Sequence, residues 1–323
     1  MVDRWIAVVL VFALLPGVRA DDPPAAVERL GTIAHVPIDE ASGIAASARF
    51  PGVWWVLNDS GGGTALFAID EAGRVIVPEP ARAKFHGDKP EPGKTAWPGH
   101  QLPGTANVDW EDLVVHDGKV YVADLGNNAN ARKDLAIYVA AEIDPRTTVD
   151  FAGVTTYRVR YPDQDAFPPA AMCFDCESIF VDQGAIYVLT KHRMTGKNAP
   201  EAGSKLYRLD KPDAAAEVAF ALVDRHATIG LWPTAASLSP DGKRLAVLAQ
   251  TSIWLFERPA EGDRWLSSPA KRLVLEGRVA LQAEAICWDG ADHLRWCNEQ
   301  RGLYRSPVAA FTDVPAGEKP PAR

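Results

Sequence analysis

Apolar residues recur along nearly the whole chain in short runs of strand length, separated by turn signals, and helical periodicity is scarce. Pro212 to Ala216 is the nearest approach to a turn of helix. The runs order themselves into a unit: a polar opening, an aliphatic strand, a tight turn, a second strand rich in aromatics, a polar loop and a third strand. The openings are Glu40-Ala-Ser42-Gly-Ile44, Asp109-Trp-Glu111-Asp-Leu113, Asp175-Cys-Glu177-Ser-Ile179, Thr234-Ala-Ala236-Ser-Leu238 and Gln282-Ala-Glu284-Ala-Ile286. Each is followed by a turn: Pro51-Gly52, Asp117-Gly118, Asp182-Gln183-Gly184, Asp241-Gly242 or Asp289-Gly290. Asp-Gly between apolar runs is a strong hairpin signal, because Gly accepts the positive φ that such turns demand.

An outer, fourth strand follows in four copies, at Arg74–Val77, Thr156–Tyr161, Glu217–Val223 and Arg272–Leu275. The last copy lacks one, whereas Val27 to Val36 reads as a strand with no hairpin of its own. If that segment completes the last unit, a ring closes and no long sheet edge is left unpaired. The pattern therefore predicts an all-β fold, a five-bladed β-propeller closed by an N-terminal outer strand. Six blades is the alternative, with Pro80 to Pro103 as a degenerate blade; its five prolines and weak periodicity favour a long loop on blade one.

Composition changes this picture only at the ends. The chain has 323 residues, 47% hydrophobic and 24% charged, with a net charge of -8 at pH 7. That composition excludes disorder and coiled coil, and the acidic balance argues against a nucleic-acid partner, which requires a basic footprint. Asp3 and Arg4, the apolar run Ile6–Leu15 and Val18-Arg19-Ala20 have the layout of a secretory signal over residues 1–20. The run is too short to span a bilayer. The expected mature protein is periplasmic or secreted, a single domain over 21–314 with a tail at 315–323, and a monomer. Export makes Cys173, Cys176, Cys287 and Cys297 candidates for two disulfides among three connectivities. A zinc site is the weaker alternative, since His293 matches no ligand spacing.

In a propeller the first strand of each blade lies nearest the axis. The two polar positions of each opening then form two rings at one mouth of the channel. The outer ring is Glu40, Asp109, Asp175, Thr234 and Gln282; the inner ring is Ser42, Glu111, Glu177, Ala236 and Glu284, with Ser237 beside the gap. Carboxylates aimed at one narrow channel repel by about 2 kcal/mol per pair at roughly 8 Å and an effective ε of about 20. A bound cation or a raised pKa relieves this, and hard oxygen ligands suit Ca2+. The alternative is that these acids hydrogen-bond neighbouring blades as structural clamps.

Loops on the same face add Asn58, Asp59, Asp124, Asn127, Asn128, Gln250, Asn298 and Glu299, and two of them are basic: Arg132-Lys133, and Lys191-His192-Arg193 with Lys197. A channel cation flanked by Lys191 and Arg193, with His192 as acid or base, is an arrangement for hydrolysing a small anionic ester, a phosphoester first and a lactone or carboxylic ester second. No Gly-x-Ser-x-Gly elbow, haem motif or dinucleotide fingerprint is present. The competing expectation is a non-catalytic propeller that binds a glycan, peptide or protein on its polar face.

The Glu-x-Ser-Gly-Ile opening and the Asp-x-Glu openings resemble those of exported bacterial propellers grouped as SdiA-regulated and esterase-like phytase proteins. The inner-ring order Ser, Glu, Glu, gap, Glu is similar to the axial calcium ligands of the calcium-activated nucleotidases (apyrases), five-bladed propellers that hydrolyse nucleoside diphosphates. That resemblance implies Ser42, Glu111, Glu177 and Glu284 as calcium ligands. Blade four departs from it, with Ala236 where a hydroxyl is expected, and the nucleotidase substrate-binding residues find no match. Within this frame two local disulfides are expected, Cys287–Cys297 on paired strands and Cys173–Cys176 at one opening.

Overall fold

A computed structural model describes residues 26–314, apart from Gly62, Asn198 and the side chain of Leu231. The proposed signal segment 1–20 and the tail 315–323 lie outside the described residues. Five antiparallel sheets form a ring, a five-bladed β-propeller. Blade one is Ala41–Ala46, Trp54–Asn58, Ala65–Ile69 and His100–Gln101; blade two is Trp110–His116, Lys119–Asp124, Ala136–Ala141 and Thr155–Arg160. Blade three is Met172–Asp182, Ala185–Arg193, Pro200–Leu209 and Ala221–Leu231; blade four is Pro233–Leu238, Arg244–Ala249, Ser252–Glu257 and Ala270–Val274. Blade five is Ala283–Asp289, His293–Asn298 and Gly302–Pro307, completed by the N-terminal strand Glu28–Thr32. The ring therefore closes as the pattern required, with Glu28 opposite Arg305 and an ion pair of 2.8 Å between them.

The strands read as nearly continuous apolar runs because each sheet is buried on both faces. Side chains alternate sides along a strand, so Trp54 and Val56 enter the core between blades one and five, while Trp55 and Leu57 enter that between blades one and two. Five such cores fill the five gaps between neighbouring blades. The buried Trp55 indole donates to Glu142 Oε1 at 3.0 Å, which satisfies its one polar atom.

Several expectations are corrected. The outer strand of blade one is His100–Gln101, not Arg74–Val77, which contributes only a single bridge from Val75 to Ile69. Asp70 Oδ1 accepts the amides of Ala72 and Arg74 at 2.9 Å each, so the chain turns there and leaves the sheet. The stretch from Pro80 to Pro103 is no sixth blade: it holds a two-stranded pair, Phe85–His86 with Thr95–Ala96, and returns to blade one. Val218–Ala219 crosses to pair in parallel with blade two, and Thr312–Asp313 extends blade four. One short α-helix lies among the described residues, Gly277–Ala280, and none at 212–216.

All four cysteines are buried free thiols, so neither expected disulfide is present. Strand register explains one case: Cys287 faces Arg295 and Cys297 faces Ala285, a diagonal relationship rather than a direct one. At the other, Asp175 pairs with Lys191 and Cys176 with Thr190, and the Cys176 thiol donates to the Ser178 carbonyl.

Candidate functional site

In every blade the register of the first strand against the second slips at the opening. The slips fall between Ala41 and Gly43, Trp110 and Asp112, Cys176 and Ser178, Pro233 and Ala235, and Ala283 and Ala285. The extra residue at each bulge is Ser42, Glu111, Glu177, Thr234 or Glu284. A bulge leaves its residue outside the ladder and re-aims its side chain, and all five line one cavity of about 230 Å³. The inner ring is thus real, with one correction. Its blade-four member is Thr234; Ala236 lies two residues deeper and lines the opposite mouth.

Glu40, Asp59, Glu299, Asn128, Gln250, Gln282, Lys191, Arg193 and Trp232 complete the cavity wall. Of the proposed outer ring, Glu40, Thr234 and Gln282 reach the cavity, whereas Asp109 and Asp175 are not part of its wall. Asp175 is fully buried, accepting the Asn127 amide at 2.6 Å and Arg193 Nε at 3.1 Å. The two hydroxyls of the inner ring act as clamps between blades. Ser42 donates to the Glu111 carbonyl at 2.7 Å, and Thr234 to the Ala283 carbonyl at 2.8 Å.

Lys191 and Arg193 are not loop-tip cations. The second strand of blade three runs on to Arg193, three residues past Thr190, and buries both side chains. The Lys191 ammonium contacts Glu177 and lies 3.7 Å from Asp175. Burial alone would lower its pKa, but Glu177, Asp175 and Glu111 outweigh burial and hold it above the usual lysine value. His192 alternates to the other side of the strand, away from the cavity, where burial and then Lys205 and Arg225 push it down to about 4. Arg132, the other basic candidate, is taken up by Asp124, Asp134 and the Gly126 carbonyl.

One ammonium does not balance the carboxyls. Burial, then the charge of Glu177, pushes Glu111 and Glu284 well above the carboxylate range. Glu177 itself is raised to about 7 by burial, against the pull of Lys191, and Asp109 to about 6 by burial followed by Asp59 and Asp175. Two acidic trios bring one oxygen from each member within 4.8 Å of the others: Glu111, Asp175 and Glu177, which already surround Lys191, and Asp59, Asp109 and Glu111. Gly126 backs the second trio. A Cβ there would overlap Glu111 Oε1 and the Asp109 carboxyl.

Two residues of the site are not marked by the repeat pattern. Asp112, the residue after the inner-ring Glu111, is wholly buried on the axis, and its carboxylate accepts the amides of Leu113 at 2.8 Å, Ile179 at 3.0 Å and Ala236 at 3.5 Å. It ties blades two, three and four together. Its one trace in the sequence is an acid at the position where other openings carry Gly43, Ser178 or Ala285. Trp232 stands at the cavity wall with φ +50°, unfavourable for a bulky side chain. Its indole donates to the His192 carbonyl at 2.9 Å, and its ring faces the Arg193 guanidinium at 4.6 Å.

No family profile matches the chain, and no curated protein matches its sequence. Solved structures match its fold. A streptogramin B lyase is 12% identical, over 89% of this chain and 97% of that one, at a TM-score of 0.41. A glucose dehydrogenase is 11% identical, over 91% and 100%, at 0.44. The beta-propeller domain of Cps50 (Swd1) from Myceliophteria thermophila is 9% identical, over 83% of each chain, at 0.36. Identities and scores this low carry no argument about chemistry. The class is that of the β-propellers, and among the described residues no helix is long and apolar enough to cross a membrane.

Proposed function

We propose that this is an exported propeller whose axial cavity holds a divalent cation, calcium, and uses it to hydrolyse a small ester. The observation that carries the reading is the trio Asp59, Asp109 and Glu111, whose oxygens come within 4.8 Å of one another beside the cavity. Oxygens on opposite sides of a calcium ion are about 4.8 Å apart, since each bond is about 2.4 Å. The donors are all hard oxygens, which favours calcium over the softer transition metals. The trio around Lys191 is the poorer site, because an ammonium already neutralises it. The ligand set suggested by the nucleotidase resemblance accordingly shifts from Ser42, Glu111, Glu177 and Glu284 toward Glu111 with Asp59 and Asp109.

A cation there would polarise an ester oxygen or activate a water. Because Lys191 and Arg193 are engaged by Glu177 and Asp175, the positive charge that attracts an anionic ester comes from the ion itself. The second reading, a glycan or peptide bound without turnover, is favoured by the amides of Asn128, Gln250 and Gln282 beside Trp232.

The test is a pair of melting curves, with calcium and with a chelator, followed by a panel of phosphoesters, carboxylic esters and lactones assayed with and without calcium. A calcium-dependent rise in Tm together with calcium-dependent turnover supports the enzyme. A rise without turnover leaves the ion and favours the second reading, and the absence of any rise sinks the ion.

A further inference from the structure

The opposite mouth of the axis holds a larger cavity, of about 720 Å³. That lies within the range of roughly 300–1,000 Å³ common for small-molecule sites. Its walls come from the far ends of all five first strands and the hairpins that follow them. Ile44, Leu113, Val181, Leu238 and Trp288 give it an apolar surface. Between the two cavities the axis is filled. A Cβ on Gly43 would lie 3.0 Å from the Leu113 nitrogen and 3.1 Å from the Asp112 Cα, and the Asp112 carboxylate is taken up by three backbone amides. Three successive residues thus divide the axis: Glu111 lines the acidic cavity, Asp112 is the partition, and Leu113 lines the second cavity.

We propose that this second cavity binds a neutral, apolar small molecule bearing one or two hydrogen-bonding groups. The charge balance of the wall argues against a charged ligand. Its one arginine, Arg258, donates to Asp182 at 2.6 Å, so its charge is already neutralised. The remaining acids, Asp117 and Asp241, stand on exposed turns, where water weakens their hold on a cation. Burial of apolar ligand surface supplies the affinity, at about 25 cal/mol per Å². Two half-buried polar side chains on the wall, Ser237 and His116, have no hydrogen-bond partner among the described residues and give the ligand polar anchors. A floor closed by Asp112 and Leu113 suits a compact molecule that enters from one side.

The probe is N-phenyl-1-naphthylamine, a neutral apolar dye that brightens on leaving water, titrated against the full chain and against three variants. Ser237→Phe fills the cavity, Ala48→Trp narrows its exposed rim, and Glu111→Gln alters only the acidic cavity. Saturable one-to-one binding is expected, about tenfold weaker in Ser237→Phe and Ala48→Trp and unchanged in Glu111→Gln. Melting curves identify which variants fold; Ala48 is exposed, so its variant remains decisive if Ser237→Phe does not fold. Three results overturn the proposal: no saturable brightening with the wild type, equal affinity in a folded filling variant, or loss of binding in Glu111→Gln.

Discussion

The ammonium of Lys191 and the carboxylate of Glu177 meet inside the axial cavity, both nearly inaccessible to solvent. The fold thus sets an ammonium, with the Arg193 guanidinium beside it on Asp175, into a ring of acids that repeats around the axis. A buried pair of this kind contributes little net stability when intact, yet breaking it is costly, because the survivor is left charged and dry. Lys191→Met is therefore expected to destabilise the protein by about 3–5 kcal/mol. Adding Glu177→Gln should restore most of the loss. Urea denaturation of both singles and the double gives the coupling; additive losses would mean that the two side chains act independently.

Gly126 has ordinary backbone geometry, so alanine is conformationally acceptable there, but its Cβ would collide with the carboxyls of Asp109 and Glu111. Gly126→Ala is expected to abolish the calcium-dependent rise in Tm while the far-UV circular dichroism of the fold persists. A Gly126→Ala protein with a wild-type calcium response would place the ion elsewhere.

Asp112 joins three blades through one carboxylate. Asp112→Ala leaves the Leu113, Ile179 and Ala236 amides without that acceptor, each at a cost of about 1–3 kcal/mol. The expected loss is several kcal/mol in urea denaturation. Asp112→Asn should lose less, because its amide oxygen still accepts.

His100 gives a pH dependence with a definite sign. It is buried against Trp55, Trp97 and Phe151, hydrogen-bonds the Val149 carbonyl at 2.8 Å, and burial lowers its pKa to about 4. The unfolded chain takes up a proton near 6.5, so His100 contributes full stability above that pH and loses it as pH falls toward 4. The contribution is about 3 kcal/mol at neutral pH, because each tenfold difference in proton affinity between the folded and unfolded chain is worth about 1.4 kcal/mol. The raised carboxyl of Asp109 acts in the opposite sense, its stability being lost as pH rises through about 6. The two are separated by comparing wild type with His100→Gln between about pH 7 and 4.5, the window set by the histidine. The variant's stability should fall less steeply on acidification, and parallel slopes would rule out the histidine.

The repeat, the number of blades, closure by the N-terminal strand and the face on which the acids gather are all legible in the chain as written. They follow from local periodicity and turn chemistry, which are carried by neighbouring residues. The register of blade four is not legible in this way, because Thr234-Ala-Ala236-Ser offers two hydroxyls three residues apart and only the bulge selects Thr234. Nor does the pattern separate His192 from Lys191 and Arg193. The apolar run ends at Leu189, whereas the strand continues to Arg193 and imposes the alternation that sends the histidine away. Folding in three dimensions was needed to bring Lys191 into the acid ring, to set Asp112 between blades two, three and four, to keep the cysteines apart, and to put His100 in place of Arg74–Val77 at the edge of blade one. Those relationships join residues up to 124 positions apart, as Asp112 and Ala236 are. Their energies depend on burial and on charges from other blades, which the one-dimensional pattern does not specify.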